Sequence, residues 1–278
     1  MAIDAHVHVW QLRNPHPVPI CERIAALARD FTLDDLAAAW AGCDVARCIL
    51  IEAGARPGET ELLLDLRRRR PDVVAGVVGW TDLSAPSLPS TLDRWMAQGG
   101  LVGVREIVAF GDRTDAFLSD EFQRGLSTLA DRGLCFEIVV RPDQLELAST
   151  LALRHPGLRF NVNHGGRPLV MCGEFRAWAD GVRRLARAAN ATCKLSGLIE
   201  RAGFEWSLDS LGPYVRHLLD VFGPERLMFA SNWPVMTVAG TYTRWWNAVR
   251  EILDRSSASA DDRRRIFGGS ATTFYTLQ

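Results

Sequence analysis

Lysine is almost missing from this chain. Of its 32 basic residues one, Lys194, is Lys, which leaves 31 Arg. The bias belongs to coding composition, yet it singles out Lys194, because Arg cannot stand in for a compact point-charge donor in a tight site. Paired cysteines are lacking too. Cys21, Cys43, Cys48, Cys135, Cys172 and Cys193 are scattered with no C-x-x-C pair, so reduced thiols in apolar surroundings are expected rather than a disulfide framework or a zinc knuckle. No apolar run approaches the ~20 residues of a membrane span, and no charged-then-apolar leader opens the chain. A cytoplasmic protein is the expectation, and Asn190-Ala191-Thr192 is then a chance glycosylation match. Charge of one sign is not in excess either. A formal net charge of -1 gives no reason to expect nucleic acid or an anionic membrane as partner.

What is present is ordinary in amount and regular in order. Hydrophobic residues make up 47% and charged ones 23% of 278 residues, as in a soluble enzyme with one large core. A Pro-rich loop runs from Asn14 to Pro19, and Thr32 caps a helix to Cys43 with Asp34 and Asp35 in its first turn. Apolar strand-like runs then alternate with helical stretches. Strands are expected over 3–10, 47–53, 73–80, 101–107, 135–141, 159–164, 192–196 and 226–232. Helices are expected over 58–70, 90–98, 119–132, 142–155, 174–189, 207–222 and 241–255, with a short one over 260–267. Pro142 opens one helix and Gly133 closes another, the positions those residues favour. Eight βα units in strict alternation imply a parallel sheet closed into a (β/α)8 TIM barrel, an α/β fold, over residues 1–278 as a single domain. The rival, a doubly wound open sheet, lacks the Gly-rich phosphate turn it would carry after strand one.

Chemistry should gather at the C-terminal ends of the barrel strands. The first strand, Ile3-Asp4-Ala5-His6-Val7-His8-Val9-Trp10, places His6 and His8 on one face because side chains alternate. Two neutral imidazoles so placed grip one divalent ion or one polarised carbonyl. The other strand ends offer Glu52, Trp80, Arg105, Glu106, Arg141, His164, Lys194, Ser196, Asn232 and Trp233. Water begins at strand ends, so a single Glu52, Glu106 or Ser196 carries little weight; three His facing one cavity carry more. His16, His155 and His217 fall in loop or helix positions and are expected to be solvated.

The chain resembles the amidohydrolase (metal-dependent hydrolase) superfamily, in the branch that holds sugar-acid lactonases. The likeness rests on Asp4-Ala5-His6-Val7-His8-Val9-Trp10, Gly103-Val104-Arg105, and Val140-Arg141-Pro142-Asp143-Gln144-Leu145. Asn163-His164-Gly165-Gly166-Arg167-Pro168, Cys193-Lys194-Leu195-Ser196-Gly197-Leu198, Arg226 through Pro234, and Ile266-Phe267-Gly268-Gly269 continue it. The resemblance implies that His6, His8 and His164 form the catalytic histidine group. It also implies an Asp closing strand eight that moves a proton between the attacking water and the leaving oxygen. Here that position is Asn232, and an amide cannot accept a proton at neutral pH. The parent reaction should therefore be slow or absent. Either the change was made to trap bound substrate, or the site has diverged to bind or isomerise without hydrolysis.

The resemblance further implies a small-molecule lactone or carboxylate substrate, with a homodimer as the conceivable assembly. Some relatives use zinc and others open lactones without metal. One divalent ion, zinc first, held by His6, His8 and His164, is the first expectation. Direct polarisation by the same imidazoles and an Arg is the second. Arg105, Arg141 and Lys194 are expected to orient the substrate's hydroxyls or carboxylate. Trp10, Trp80 and Trp233 are expected to wall its ring, although core packing is the commoner use of Trp. Two other readings stand beside lactone hydrolysis. One is a metal-dependent decarboxylase of an aromatic acid, which would want a His where strand five ends in Arg141. The other is a binding barrel that has lost its base. The loops at 11–31, 107–118, 165–173 and 198–206 carry no readable code.

Overall fold

A computed structural model describes residues 1–13, 18–111 and 114–277. Among them, eight strands form one parallel sheet whose hydrogen-bonded order follows the chain. They are β1 Ala2–Val7, β2 Val45–Ile51, β3 Val74–Gly79, β4 Leu101–Ile107, β5 Cys135–Val139, β6 Phe160–Val162, β7 Ala191–Leu195 and β8 Leu227–Phe229. The seam closes just past the strand ends. His8 N donates to the Trp233 carbonyl at 2.8 Å, and Asn232 N to the His6 carbonyl at 3.0 Å. Buried Asp4 ties the same seam, accepting from Ser231 N at 2.9 Å and from the Tyr242 hydroxyl at 2.8 Å. The alternation read from sequence is thus a (β/α)8 barrel.

After β1 come α1 Pro19–Arg23 and α2 Leu33–Ala39. Helices α3 Pro57–Arg69, α4 Leu88–Ala97, α5 Asp120–Asp131, α6 Leu145–Arg154 and α7 Arg176–Leu185 follow β2 to β6 in turn. Strand β7 leads to α8 Ile199–Ala202 and α9 Leu208–Phe222, and β8 to α10 Tyr242–Arg255, α11 Ala260–Arg264 and α12 Ser270–Phe274. Period-two alternation sorts each strand between two apolar layers. In β2, Ile49 and Ile51 pack with Ala75, Val78 and Met228 inside the barrel. Cys48 and Leu50 face the helix layer instead. Thr32 forms the expected N-terminal cap, in a capping box with Asp35. Gly133 takes φ +65° after α5.

Several boundaries differ from the sequence reading, and local backbone explains them. Strands β6 and β8 stop at Val162 and Phe229, before His164 and Asn232. Those two residues adopt φ 56° and 61°, a left-handed conformation no strand can contain. Pro142 opens a single 3-10 turn, Pro142–Gln144, and α6 begins only at Leu145. Helix α11 gives way to a π turn, Arg265–Gly269. His217 is buried rather than solvated: it donates to the Ala179 carbonyl at 3.0 Å and packs on Phe175 and Trp178. His155 is half-buried against Gln123, and His16 lies outside the described residues. Cys48, Cys135 and Cys193 are buried free thiols, but Cys172 is exposed. No described helix is long and apolar enough to cross a membrane.

Candidate active site

The placement of the two leading histidines depends on an irregularity in β1. Ile3 and Ala5 face the barrel interior, and unbroken alternation would send His6 and His8 outward. The register with β2 shifts between Asp4 and Val7. A shift of this kind re-aims the following side chains, so His6 and His8 turn inward and bring their Nε2 atoms to 3.1 Å. The partner of His8 assigns its tautomer. His8 Nδ1–H donates to the Ile51 carbonyl at 2.9 Å, which leaves its Nε2 an acceptor. His6 has a donor at each ring nitrogen: Nδ1 faces the Lys194 ammonium at 3.3 Å, and Nε2 faces the Arg105 guanidinium at 3.3 Å as well as His8. Burial, reinforced by Lys194, holds His6 well below the usual imidazole range. Burial and then Arg105 bring His8 down to about 3. Both rings are neutral at neutral pH.

Beneath them the barrel interior is charged. Arg105 on β4 donates through Nε to Glu52 Oε1 at 2.7 Å and through Nη2 to the Glu52 carbonyl, while Nη1 lies 3.3 Å from His6 Nε2. Glu52 Oε2 is taken by Ala55 N at 2.7 Å. One layer away, Lys194 on β7 meets Glu137 on β5 at 2.5 Å, and Glu137 also accepts from Asn163 and the Tyr275 hydroxyl. Charged residues are therefore not confined to strand ends. They fill inward positions within the strands as complementary pairs, the condition under which burial of charge is tolerated.

Above this layer opens a cavity of about 410 Å³, with His8, Arg105, His164 and Asn232 in its wall. His164 reaches it from the loop after β6, with Nδ1 on Ser196 Oγ at 2.9 Å. Gly197, at φ +68°, makes room for that ring: a Cβ there would lie 2.5 Å from His164 Cβ. The loops without a readable code add Ile20 and Arg23, Phe110, Arg167, Glu200 and Arg201 to the wall. Arg23 and Arg167 lie over the exposed Phe110 ring.

Glu200 is the residue the sequence reading missed. It lies on α8, and its Oε1 accepts from Asn232 Nδ2 at 2.7 Å. Its Oε2 is buried without a hydrogen-bond partner. Burial pushes its carboxyl up to about 7, against the lowering pull of Asn232 and Arg167. The available signal was one acid in the otherwise apolar run Leu198-Ile199-Glu200 after a strand end.

Other candidates stand apart from the cavity. Lys194 is fully buried beneath His6 and contributes nothing to the wall. Arg141 turns to Asp143 and to the Ala109 and Gly111 carbonyls, and borders a neighbouring cavity of about 340 Å³ that shares Arg167 and Arg201. Trp233 is 2% exposed, packed edge-on against Phe31, and Trp80 hydrogen-bonds Glu106. Of the three Trp, Trp10 alone reaches the wall. Glu106 sits outside the cavity wall, its carboxyl pushed to about 7 by burial.

The donor set does not fit a resident zinc ion. Two ligand nitrogens on tetrahedral zinc lie roughly 3.3 Å apart, close to the His6–His8 spacing, and the His164 ring stands beside them, its centroid 4.6 Å from that of His6, with Nδ1 engaged by Ser196. Among the described residues, no three His, Cys, Asp or Glu side chains are grouped to hold an ion. Arg105, a fixed cation, adjoins His6 Nε2, and the Glu52 carboxylate is already engaged.

Known proteins resemble the chain along its whole length. A family model described as amidohydrolase matches residues 3–277. An L-fucono-1,5-lactonase from Burkholderia ambifaria is 32% identical over 278 residues, covering 99% of this chain and 95% of that protein. A second L-fucono-1,5-lactonase, from Burkholderia multivorans, is 31% identical and covers 100% and 96%. The crystal structure of an amidohydrolase from Burkholderia multivorans with bound zinc matches at a TM-score of 0.92 and 31% identity, over 100% of both chains.

Proposed function

The chain belongs to the amidohydrolase family, and from that premise we propose that it opens the ring of a sugar-acid lactone by adding water to the ester carbonyl. The observation that carries this reading is one cavity wall where the Arg105 guanidinium stands beside the neutral rings of His8 and His164. Full-length relatives named L-fucono-1,5-lactonase support it.

Water adding to a lactone places negative charge on the carbonyl oxygen, and fixed donors aimed at that charge lower the barrier. Arg105 is such a donor, held from behind by Glu52 so that it does not reorganise during the reaction. His6, pinned between Lys194, His8 and Arg105, keeps the group in register. Trp10, Ile107, Phe110 and Val139 offer apolar surface to the C–H face of a sugar ring, and Arg167 and Arg201 stand at the mouth for its hydroxyls. A zinc-bound relative exists; in this reading Arg105 and the imidazoles supply the polarisation. Asn232 cannot accept the proton of the attacking water.

Acid release from a panel of aldonolactones and aromatic lactones tests the proposal. Saturable hydrolysis of L-fucono-1,5-lactone or another aldonolactone is the expected result. Inertness towards every lactone, with carbon dioxide released from a hydroxybenzoate, would replace it with decarboxylation.

A further inference from the structure

We propose that Glu200 is the proton acceptor and donor of the hydrolysis, held in place by the Asn232 amide. The inference rests on the lactonase reading and deepens it.

Three observations lead to it. Glu200 borders the same cavity as Arg105, His8 and His164. One of its carboxylate oxygens is fixed by Asn232 Nδ2 at 2.7 Å, and the other is buried with no partner among the described residues. A buried oxygen without a donor is costly to maintain, and a water entering the cavity would supply the missing one. The third observation concerns charge. An Asp at position 232 would set two carboxylates in contact, and such a pair cannot both ionise. An amide there donates instead. Asn232 and Glu200 are therefore complementary, and the carboxylate that the resemblance implies at position 232 has a counterpart on α8.

The groups facing Glu200 are Asn232 from beyond β8 and Arg167 from the loop after β6, and Arg201 on its own helix lines the same cavity. His8, His164 and Arg105 complete the wall. In the step, a water O–H breaks and its proton passes to Glu200 Oε2 as the water oxygen bonds to the carbonyl carbon. When the ring C–O bond breaks, that proton passes to the leaving ring oxygen, which becomes the new hydroxyl. The other product group is a carboxylic acid, which releases one proton to solvent. A carboxyl poised near 7 is suited to both transfers.

The test measures kcat and KM on L-fucono-1,5-lactone for the wild type, Glu200→Gln, Asn232→Asp and the Glu200→Gln/Asn232→Asp double variant, each checked for a cooperative melt. Glu200→Gln is expected to lower kcat by roughly 10²–10³-fold with KM nearly unchanged. It should also abolish the limb near pH 7 in kcat/KM. The double variant, which moves the carboxylate back across the contact, should recover about tenfold or more over Glu200→Gln; a purely structural role gives no such rescue. Glu200→Gln turning over at the wild-type rate would overturn the proposal. So would an inert wild type beside an active Asn232→Asp, an outcome that leaves the lactonase reading standing. Inertness of all four removes both. Should Glu200→Gln fail to fold, a wild-type profile without a limb near 7 overturns the assignment.

Discussion

Lys194 reaches His6 on one side and Glu137 on the other, both at full burial. Its function is therefore positional: it holds the His6 ring from below the site. Lys194→Met removes one member of a buried pair and leaves Glu137 as an uncompensated charge, which costs about 3–5 kcal/mol. Chemical denaturation checks this, and the Lys194→Met/Glu137→Gln variant should recover part of the loss; equal stability of Lys194→Met and wild type would refute the pairing. At this scale the sequence was informative about chemistry and poor about depth. The His-X-His spacing, Arg105 and His164 were legible from residue type near strand ends, whereas the register shift that turns His6 and His8 inward was not. That Lys194 and Trp233 face away from the cavity was not legible either, since nothing local distinguishes a strand-end residue pointing into the barrel from one at its mouth.

Among the elements, the loops after β6, β7 and β8 carry the geometry of the site in left-handed backbone: His164 at φ 56°, Gly197 at 68° and Asn232 at 61°. For His164 and Asn232 this conformation stores strain of order 1–3 kcal/mol each, held by the barrel around them. Gly197 is the sensitive point, since a side chain there meets both an unfavourable φ and His164 Cβ at 2.5 Å. Gly197→Ala is expected to destabilise by more than about 1 kcal/mol and to depress kcat by displacing His164. A melt and a rate measurement check it together; an unchanged rate would show that His164 needs no such fit. These turns explain why β6 and β8 were read too long: their residues suit a strand by composition, and only the backbone angle ends it. Glu200 escaped notice for a related reason. Its partner is 32 residues away in sequence, and loop sequence carries no periodicity from which such a contact could be read.

For the whole molecule, alternation was enough. Eight apolar runs separated by amphipathic stretches specify a parallel barrel, because period and order are global properties that survive errors at every boundary. Its buried ionisable groups predict how stability depends on pH. Burial lowers His6, His8 and His164, so their contribution is present above the unfolded value near 6.5 and is lost as pH falls towards the folded values, about 3 for His8. Glu59, Glu106 and Glu200 are raised from 4.5 to about 7, so theirs is present below 4.5 and lost as pH rises through 7. Between 6.5 and 4.5 the two groups offset one another, whereas below 4.5 only the His loss continues. The melting temperature should change little from pH 6.5 to 4.5 and then fall steeply, as fluorescence-monitored melts across that range would show; a steady rise into acid would contradict the buried neutral imidazoles.

The central claim is that this barrel opens lactones with its own side chains as electrophile and base. Initial rates of acid release from L-fucono-1,5-lactone, before and after dialysis against a chelator, address it most directly. Saturable turnover that survives dialysis and is unchanged by added zinc is the predicted result, since Arg105 and the neutral imidazoles supply the polarisation. Turnover that vanishes on dialysis and returns with zinc would contradict it.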